Sequence, residues 1–318
     1  MTESNLLFSI ITPVYNRKDC IANCIRSVEA QQVACSYEHI VVDDGSTDGS
    51  SAIVQEMAAG NPRLVALQLP QNMGPNAARN AAIRKAHGRF IIFLDSDDAM
   101  RPGALATIAE AISRYPECGH LMFTVDYRVE EFADMPETAL FSFRDFLEQR
   151  VTGDFTHVVL RSTMLARPFD EDLRIYEGIF FMSFYKEAGT MRFFNKVLLD
   201  LDRGRDDRVT FSVLPDNKET LRRTVKAIGI LADRFTDDYA ATEAGRRVLA
   251  GQLMKKHRFA TMLGMSREAT TTENQIRALG FSVPATWRVL NRTHMGAPFF
   301  AVAKFYIKLK FALGIRPK

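Results

Sequence analysis

Continuous apolar runs alternate with helix-like segments over about the first 130 residues, and this alternation limits the possible folds more than any other feature. Four runs end abruptly in polar or turn-forming residues, and a fifth follows at 119–130. These four runs are 6–15, 38–45, 63–70 and 90–94. Between them, residues 17–32 carry apolar side chains at helical spacing, and Pro75 opens an alanine-rich segment that reaches about Lys85. Strands that are apolar throughout are buried on both faces. We therefore predict an α/β fold with a mostly parallel, Rossmann-like sheet covered by helices.

Polar side chains collect where these runs end. They are Thr12, Asp43, Asp44, Asp95, Asp97 and Asp98. In open α/β sheets, ligands bind in the crevice outside the carboxyl ends of the strands. A single aspartate at such a position is more often a turn or helix-cap residue. Several acids at one edge repel each other unless a positive group joins them, so their convergence favours a binding site.

The second acidic cluster is the denser one, because Asp95, Asp97 and Asp98 place three hard oxygen donors close together. Such donors suit Mg²⁺ or Mn²⁺, which takes one or two carboxylates together with substrate phosphates. A divalent ion at this position would neutralise a diphosphate and stabilise its departure. The sequence leaves open which carboxylates bind the ion.

Arg79 is a second candidate for a positive group near this edge. It lies on the helix that Pro75 opens, and Gly74 precedes that helix in the entering loop. The helix would point its N-terminus toward the same edge, and a planar guanidinium suits phosphate recognition. Taken alone, Arg79 would be interpreted as a solvated helix residue.

Composition excludes several classes of protein. The formal net charge of +3 is too small to indicate nucleic-acid binding. The four cysteines lack the paired spacing of a zinc site, and a reducing compartment fits them. The first residues show no signal-peptide pattern, and the chain has no run of about 18 uncharged apolar residues that could span a membrane. We expect a cytoplasmic protein.

Four motifs occur in an order and spacing that resemble the family 2 glycosyltransferases of the GT-A fold. They are ITPVYNR, IVVDDGSTDGS, QNMGPNAARN and FLDSDD. The resemblance covers about residues 6–130 and extends more weakly to about residue 200. The first run is not followed by a GxGxxG motif, and GxSxG does not occur, so dehydrogenase and hydrolase patterns are absent.

The resemblance implies roles for the first two motifs in binding a nucleotide. Thr12 and Pro13 would line the nucleotide pocket, and Tyr15 would shape its wall. Asp44, with Asp43 beside it, would accept a hydrogen bond from the N–H of a uracil-type base.

The resemblance also implies roles for the last two motifs. Arg79 would approach the base or the diphosphate, and Gly74 would let the backbone pass close to the ligand. Asp95, Ser96 and Asp97 form the DxD motif, whose carboxylates hold the ribose and the metal in relatives. The candidate metal ligands, in order of preference, are Asp97, Asp98 and Asp95.

The position of the catalytic base departs from the family pattern. The resemblance implies an inverting transferase, whose single in-line displacement needs a base for the acceptor hydroxyl. The family's Glu-Asp pair would fall within 167–189, where this chain has Glu177 followed by Gly178. Glu177 could serve as the base, or it could be a solvated residue on the first turn of a helix. A third interpretation is an impaired enzyme. The carboxylates that could substitute, if the loop folds differently, are Asp170, Glu171 and Asp172.

The chain changes character after about residue 205. Amphipathic patterns at 218–235 and 242–263 predict a helical C-terminal region over 206–318. We predict a glycosyltransferase domain at 1–205. Its nucleotide-binding half would be about 1–130, and its acceptor half about 131–205.

The tail at 298–318 has the pattern of a basic amphipathic helix rich in aromatic residues. Such a helix can lie in a membrane interface. The alternative is that its apolar face packs on the protein's own helices or on a partner subunit of a homo-oligomer.

These features lead to one expected function and two alternatives. We expect a metal-dependent inverting glycosyltransferase that moves a sugar from a nucleotide-diphosphate donor, UDP-linked by resemblance, to a glycan or lipid-linked acceptor. The resemblance places it in bacterial exopolysaccharide, capsule or lipopolysaccharide synthesis, in the cytoplasm or peripherally on the inner face of the cell membrane. Gly178 keeps open a catalytically impaired nucleotide-sugar-binding protein. A sugar-phosphate nucleotidyltransferase would carry a glycine-rich basic loop after the first run, where TPVYNRKD stands instead.

Overall fold

The computed structural model describes residues 6–173, 177–202 and 218–302. The chain divides into two compact units. One consists of Met1–Phe146 and Val151–Arg208, and the other of Leu147–Arg150 and Val209–Lys318. The domain boundary predicted near residue 205 lies outside the described residues and stays a prediction.

Strands and helices alternate through the first unit. Its strands are β1 (Leu6–Val14), β2 (Ser36–Asp43), β3 (Leu64–Gln68), β4 (Phe90–Phe93), β5 (Ala99–Met100), β6 (His120–Phe123), β7 (Thr138–Ser142), β8 (Thr156–Leu160), β9 (Thr190–Phe194) and β10 (Leu199–Asp200). Its α-helices are α1 (Ile21–Glu29), α2 (Ser50–Ala59), α3 (Pro75–Lys85), α4 (Ala104–Arg114), α5 (Phe143–Leu147, which ends in the first residue of the second unit), α6 (Arg161–Ala166) and α7 (Glu177–Ala188). Short 3₁₀ turns lie at Asp126–Arg128 and Glu171–Leu173.

Eight of the described strands form one sheet in the order β3-β2-β1-β4-β8-β6-β9-β7. β1 to β4, β6 and β9 run in one direction, and β7 and β8 run in the other. The predicted mostly parallel α/β sheet is therefore confirmed. β5 and β10 pair antiparallel in a separate small sheet.

The helices cover both faces of the large sheet, because its strands are apolar on both sides. On one face, α1 and α4 pack through residues such as Ile25 and Ile108. On the other face, α3 and α7 pack through residues such as Ala82 and Phe184. α3 begins with Pro75 at its first turn, as the sequence predicts.

The second unit is helical throughout its described part, as the amphipathic patterns predict. Its helices are α8 (Lys218–Ala240), α9 (Glu243–Met262), α10 (Ser266–Ala278) and α11 (Ala285–Arg292). The Thr242 hydroxyl caps α9 by accepting a hydrogen bond from the Gly245 amide. Across the described ranges of both units, none of the helices combines the length and the apolar character that crossing a membrane requires.

Candidate functional site

Two acidic loops meet at one edge of the large sheet. β1 pairs in parallel with β2 on one side and with β4 on the other, so the carboxyl ends of the three strands share this edge. Asp43 ends β2, and Asp44 follows it with its amide bonded to the Val14 carbonyl. Asp95 follows the end of β4. The structure thus brings together the acids that the sequence places at strand ends.

Asp44 is tied to the loop that enters α3. Its two carboxylate oxygens each accept a backbone hydrogen bond at 2.7 Å, one from Met73 and one from Gly74. Only 2% of Asp44 is exposed. Gly74 has φ 98°, a conformation that favours glycine. Asp44 therefore fixes the backbone of this loop, a role that the sequence alone did not indicate.

Asp43 and Gly45 complete the same loop contact. Asp43 is buried and accepts a hydrogen bond from the Ser46 amide at 3.1 Å. Gly45 has φ 71°, and a Cβ at this position would lie 2.6 Å from the backbone of Gln71. The loop after β2 therefore lies directly against the loop before α3.

Arg79 forms an ion pair with the first aspartate of the DxD motif. Its Nη2 lies 3.1 Å from Oδ1 of Asp95, whose side chain is 56% exposed, whereas that of Arg79 is 12% exposed. The guanidinium also lies over the Phe169 ring, 5.8 Å from its centroid. Arg79 is therefore held in place beneath an accessible carboxylate, and it is not the solvated helix residue of the alternative interpretation.

The other two acids of the cluster have different surroundings. Oδ2 of Asp97 lies 3.7 Å from Nε of Arg17. Asp98 is buried, and its Oδ1 accepts a hydrogen bond from the Asp202 amide at 3.1 Å. Ser96, which lies between Asp95 and Asp97 in the chain, is also buried. Sequence analysis did not identify Arg17, although it belongs to the ITPVYNR motif.

The carboxylates offer a metal ion an incomplete set of ligands. In the ranges that the structure describes, no three His, Cys, Asp or Glu side chains are grouped as a preformed metal site. Hard carboxylate donors in small number fit an ion such as Mg²⁺, which takes one or two carboxylates and completes its shell with phosphate and water. The residues present therefore suit an ion that binds together with a diphosphate.

The three predicted residues of the first motif differ in exposure. Thr12 is fully buried, and its hydroxyl lies 2.9 Å from Nε2 of His39. Tyr15 is 42% exposed and Pro13 is partly buried. Burial lowers the pKa of His39 to about 3. The structure thus does not bring the Thr12 side chain to the surface of this edge, and its predicted place in a nucleotide pocket stays a prediction.

Two asparagines on α3 hold the segment that precedes α7. Asn80 donates to the Phe169 carbonyl at 2.9 Å and accepts from the Phe169 amide at 2.8 Å. Its amide also lies 2.9 Å from Oε1 of Glu171, and Asn76 donates to the Asp170 carbonyl at 3.0 Å. Both asparagines are buried. Their spacing of one helical turn, in residues that form helices poorly, is the signal that sequence analysis missed.

The predicted base lies outside the described side chains. Glu177 begins α7, and its side chain is not among those that the structure describes. Gly178 follows it and is exposed, and a Cβ at this position would meet nothing within 4 Å. The assignment of Glu177 as the base therefore stays a prediction.

Two histidines that looked unrelated in the sequence form a buried pair. Nε2 of His120 lies 3.0 Å from Nδ1 of His157 across β6 and β8, and the His157 ring stacks on Phe181. Burial lowers the pKa of His157 to about 3, and burial together with the neighbouring His157 lowers the pKa of His120 well below its usual range. Both rings are therefore neutral core residues near neutral pH.

Comparison with known proteins identifies the family. The family model described as glycosyl transferase family 2 matches residues 9–173, which contain both acidic loops and α3. The chain belongs to this family. The match argues against the nucleotidyltransferase interpretation.

Curated relatives match about half of this family 2 chain. TuaG of Bacillus subtilis, named as a teichuronic acid biosynthesis glycosyltransferase, is 32% identical over 51% of this chain and 65% of its own length. A Campylobacter jejuni protein is 30% identical over 56% of this chain and 60% of its own length. Its name is GalNAc(5)-diNAcBac-PP-undecaprenol beta-1,3-glucosyltransferase. The chain thus spans less than two thirds of the length of these two relatives.

Solved structures share the fold. S. aureus TarS 1–349, in complex with UDP-GlcNAc, aligns with a TM-score of 0.60 and 19% identity over 98% of this chain and 93% of its own. The mannosyltransferase PcManGT from Pyrobaculum calidifontis, in complex with GDP-Man and Mn²⁺, aligns with a TM-score of 0.52 and 15% identity over 95% and 87%. The predicted GT-A fold is confirmed.

Proposed function

We propose that this family 2 chain is a metal-dependent, inverting glycosyltransferase. It transfers a sugar from a nucleotide-diphosphate donor, UDP-linked, to a glycan or lipid-linked acceptor in bacterial cell-surface polysaccharide synthesis. The reaction takes place in the cytoplasm or at the inner face of the cell membrane. The observation that carries the proposal is the shared sheet edge, where Asp44 fixes the loop before α3 and Arg79 pairs with Asp95.

The names of relatives and neighbours support the choice of substrates. A structure of TarS contains UDP-GlcNAc, and the PcManGT structure contains GDP-Man with Mn²⁺. The Campylobacter relative is named for a glycan on a diphosphate-linked undecaprenol. Because these names describe other proteins, the donor and the acceptor class are part of the proposal.

The acidic loop after β4 would hold Mn²⁺ or Mg²⁺. Asp97 is the first candidate ligand, with Asp98 and Asp95 as the other two. A bound divalent ion would neutralise charge on the departing nucleotide diphosphate. Arg79 and Arg17, each already paired with one of these aspartates, add positive charge beside the same acids.

Glu177 is the proposed base, since the resemblance to the family would place the Glu-Asp pair at Glu177 and Gly178. Its carboxylate would take the proton of the acceptor hydroxyl as the new glycosidic bond forms. Glu177→Gln keeps the size of the side chain and removes the base. We expect turnover to fall by roughly 100-fold or more with donor binding unchanged. Unchanged turnover would remove Glu177 from the mechanism.

Gly178 favours a second candidate, an impaired transferase that binds nucleotide sugars. An aspartate would restore the family's pair, and its Cβ would enter open space. If the chain is impaired, Gly178→Asp will raise turnover without changing the melting temperature. If Glu177 already serves as the base, the substitution will leave turnover the same or lower it.

A panel of nucleotide sugars tests the proposal before the acceptor is known. The preferred donor, added with Mn²⁺, should raise the melting temperature because it binds the folded protein. At a donor concentration of a hundred times its dissociation constant, binding adds roughly 2.7 kcal/mol to the free energy of unfolding. Asp97→Asn should abolish the Mn²⁺-dependent part of this shift, and Asp134→Asn, an exposed aspartate outside the cluster, should leave it intact. A panel without any stabilising donor would contradict the proposal.

A further inference from the structure

An exposed tyrosine lies close to the acidic loop after β4. Tyr127 follows the end of β6, which runs in the same direction as β1 and β4, so its carboxyl end shares their edge of the sheet. Asp126 beside it accepts a hydrogen bond from the Leu201 amide at 3.3 Å, and Asp98 accepts one from the Asp202 amide at 3.1 Å. Neighbouring amide nitrogens are less than about 4 Å apart, so the carboxylates of Asp126 and Asp98 lie within about 10 Å of each other. The turn that carries Tyr127 therefore lies beside the candidate metal ligands.

Tyr127 is paired with an exposed carboxylate from a second loop. Its hydroxyl donates to Oδ2 of Asp154 at 2.5 Å. Asp154 lies just before β8, whose first residue, Thr156, pairs with Phe123 at the end of β6. Tyr127 is 39% exposed, and Asp154 is exposed as well. Because a carboxylate can accept about four hydrogen bonds, Asp154 can accept others beside the one from Tyr127. The pair thus presents an aromatic ring and a hydrogen-bond acceptor side by side.

A buried arginine holds the two loops together. Arg128 is 4% exposed, and its guanidinium lies over the rings of Phe132 and Phe155, 4.6 and 4.5 Å from their centroids. Its Nε and Nη2 donate to the two carboxylate oxygens of Glu131, at 2.9 and 2.7 Å. Its Nη1 donates to the Asp154 carbonyl at 3.1 Å. Both loops are therefore fixed before a ligand arrives, which reduces the entropy lost on binding.

The chemistry of this pair suits a sugar. A pyranose ring has faces made of C–H groups and a rim of hydroxyl groups. The Tyr127 ring can cover such a face, and the Asp154 carboxylate can accept hydrogen bonds from the hydroxyls at the rim. A lipid chain would cover the ring but would leave the carboxylate desolvated and without a partner, which costs free energy. The pair therefore favours a saccharide over a lipid chain.

We infer that Tyr127 and Asp154 form a subsite that binds a pyranose ring of the acceptor. This inference rests on the proposed function, because it concerns the acceptor of the same transfer reaction. The sugar lies with one face on the Tyr127 ring, and its hydroxyls donate to Asp154. The subsite stands beside the acids that would hold the donor diphosphate, as transfer between the two substrates requires. What the chain recognises in its acceptor is then a sugar, whether or not that sugar carries a lipid.

Ligand-observed NMR titration with methyl glycosides tests this inference without requiring turnover. The probes are the methyl glycosides of glucose, galactose, mannose, N-acetylglucosamine and N-acetylgalactosamine, each added to the full chain with UDP and Mn²⁺. At least one of them should bind. Tyr127→Ala should weaken its binding roughly tenfold or more, because the variant removes the aromatic surface that the sugar covers. Asp154→Asn removes the charge of the acceptor and should weaken binding roughly threefold or more. Tyr127→Phe keeps the ring and should retain most of the binding.

A matched variant and a donor measurement separate this subsite from other causes. Phe299→Ala removes an aromatic side chain that is 47% exposed in the second unit, and it should leave glycoside binding unchanged. In calorimetry, Tyr127→Ala should bind UDP with Mn²⁺ as tightly as the unmodified chain does. A chain that binds no nucleotide or nucleotide sugar would contradict the proposed function, whatever its response to the glycosides. A chain that binds the donor but none of the glycosides would overturn the inference alone. Equal glycoside affinities of Tyr127→Ala and Phe299→Ala would overturn it as well.

Discussion

Asp44→Asn tests whether this aspartate fixes the loop before α3. The substitution preserves the shape of the side chain but replaces one acceptor oxygen by an amide group that can only donate. The Met73 and Gly74 amides both donate to Asp44 at 2.7 Å, so one of them would face a second donor. Hydrogen bonds to charged groups contribute about 1.5–3 kcal/mol, and a buried group left without its partner costs about 1–3 kcal/mol. We expect a local destabilisation of about 2–4 kcal/mol.

Hydrogen exchange at the Met73 and Gly74 amides is the most direct assay. A loss of this size should speed their exchange roughly 30-fold or more. Urea unfolding should be followed by far-ultraviolet circular dichroism, which reports on the backbone of the whole chain.

Asp134→Asn provides the matched control for Asp44→Asn. Asp134 is exposed, and its substitution should change stability by no more than about 0.5 kcal/mol. If exchange at Met73 and Gly74 were as slow in Asp44→Asn as in Asp134→Asn, the loop would be held by other contacts and the reasoning would be refuted.

Three further predictions follow from the site and its surroundings. Asn80→Ala leaves both backbone groups of Phe169 without their Asn80 partner and should destabilise the protein by about 2–4 kcal/mol in thermal unfolding. Arg79→Lys keeps the charge but loses the planar guanidinium that pairs with Asp95. Calorimetry should therefore show roughly tenfold weaker binding of UDP with Mn²⁺. An unchanged affinity would exclude Arg79 from the donor site. Burial lowers the pKa of His39 from 6.5 to about 3. As pH falls, His39 is therefore protonated in the unfolded chain before it is protonated in the folded protein. The free energy of unfolding should then fall by up to about 1.4 kcal/mol per pH unit below the unfolded pKa of His39. His39→Gln should reduce this slope in denaturant unfolding measured at several pH values.

The parallel half of the sheet could be predicted because its strands are buried on both faces. Runs such as FIIF have no alternation with polar residues, and Pro75 marks the start of α3 by its fixed φ. The antiparallel strands β7 and β8 were not predicted. They are five residues long, and their place in the sheet depends on pairings with strands distant in sequence.

The acids of the candidate site could be predicted from their position after strands, but their partners could not. Whether Asp95 would pair with Arg79 depends on how α3 lies over the sheet, and this is decided by packing. The pairing of His120 with His157 depends in the same way on the register of β6 and β8, which places Met122 opposite His157. Sequence periodicity carries no information on either contact.

Sequence analysis could not decide whether a side chain is buried in the core or lines a pocket when its chemistry suits both places. The resemblance to the family implied that Thr12 lines a nucleotide pocket, and in the structure its side chain is buried beside His39. A threonine near the end of a buried strand can face either way, since its small hydroxyl needs only one partner to be buried.

Helix α3 has a consequence for building chimaeras with other family members. Its first turn meets the loop that Asp44 holds, its middle meets Asp95 through Arg79, and Asn80 meets Phe169. If only one of these loops were exchanged for that of another family member, the new loop would contact α3 residues with which it does not pair in its own protein. Junctions placed before β2 and after the 3₁₀ turn at Glu171–Leu173 would transfer the helix together with all three contacts.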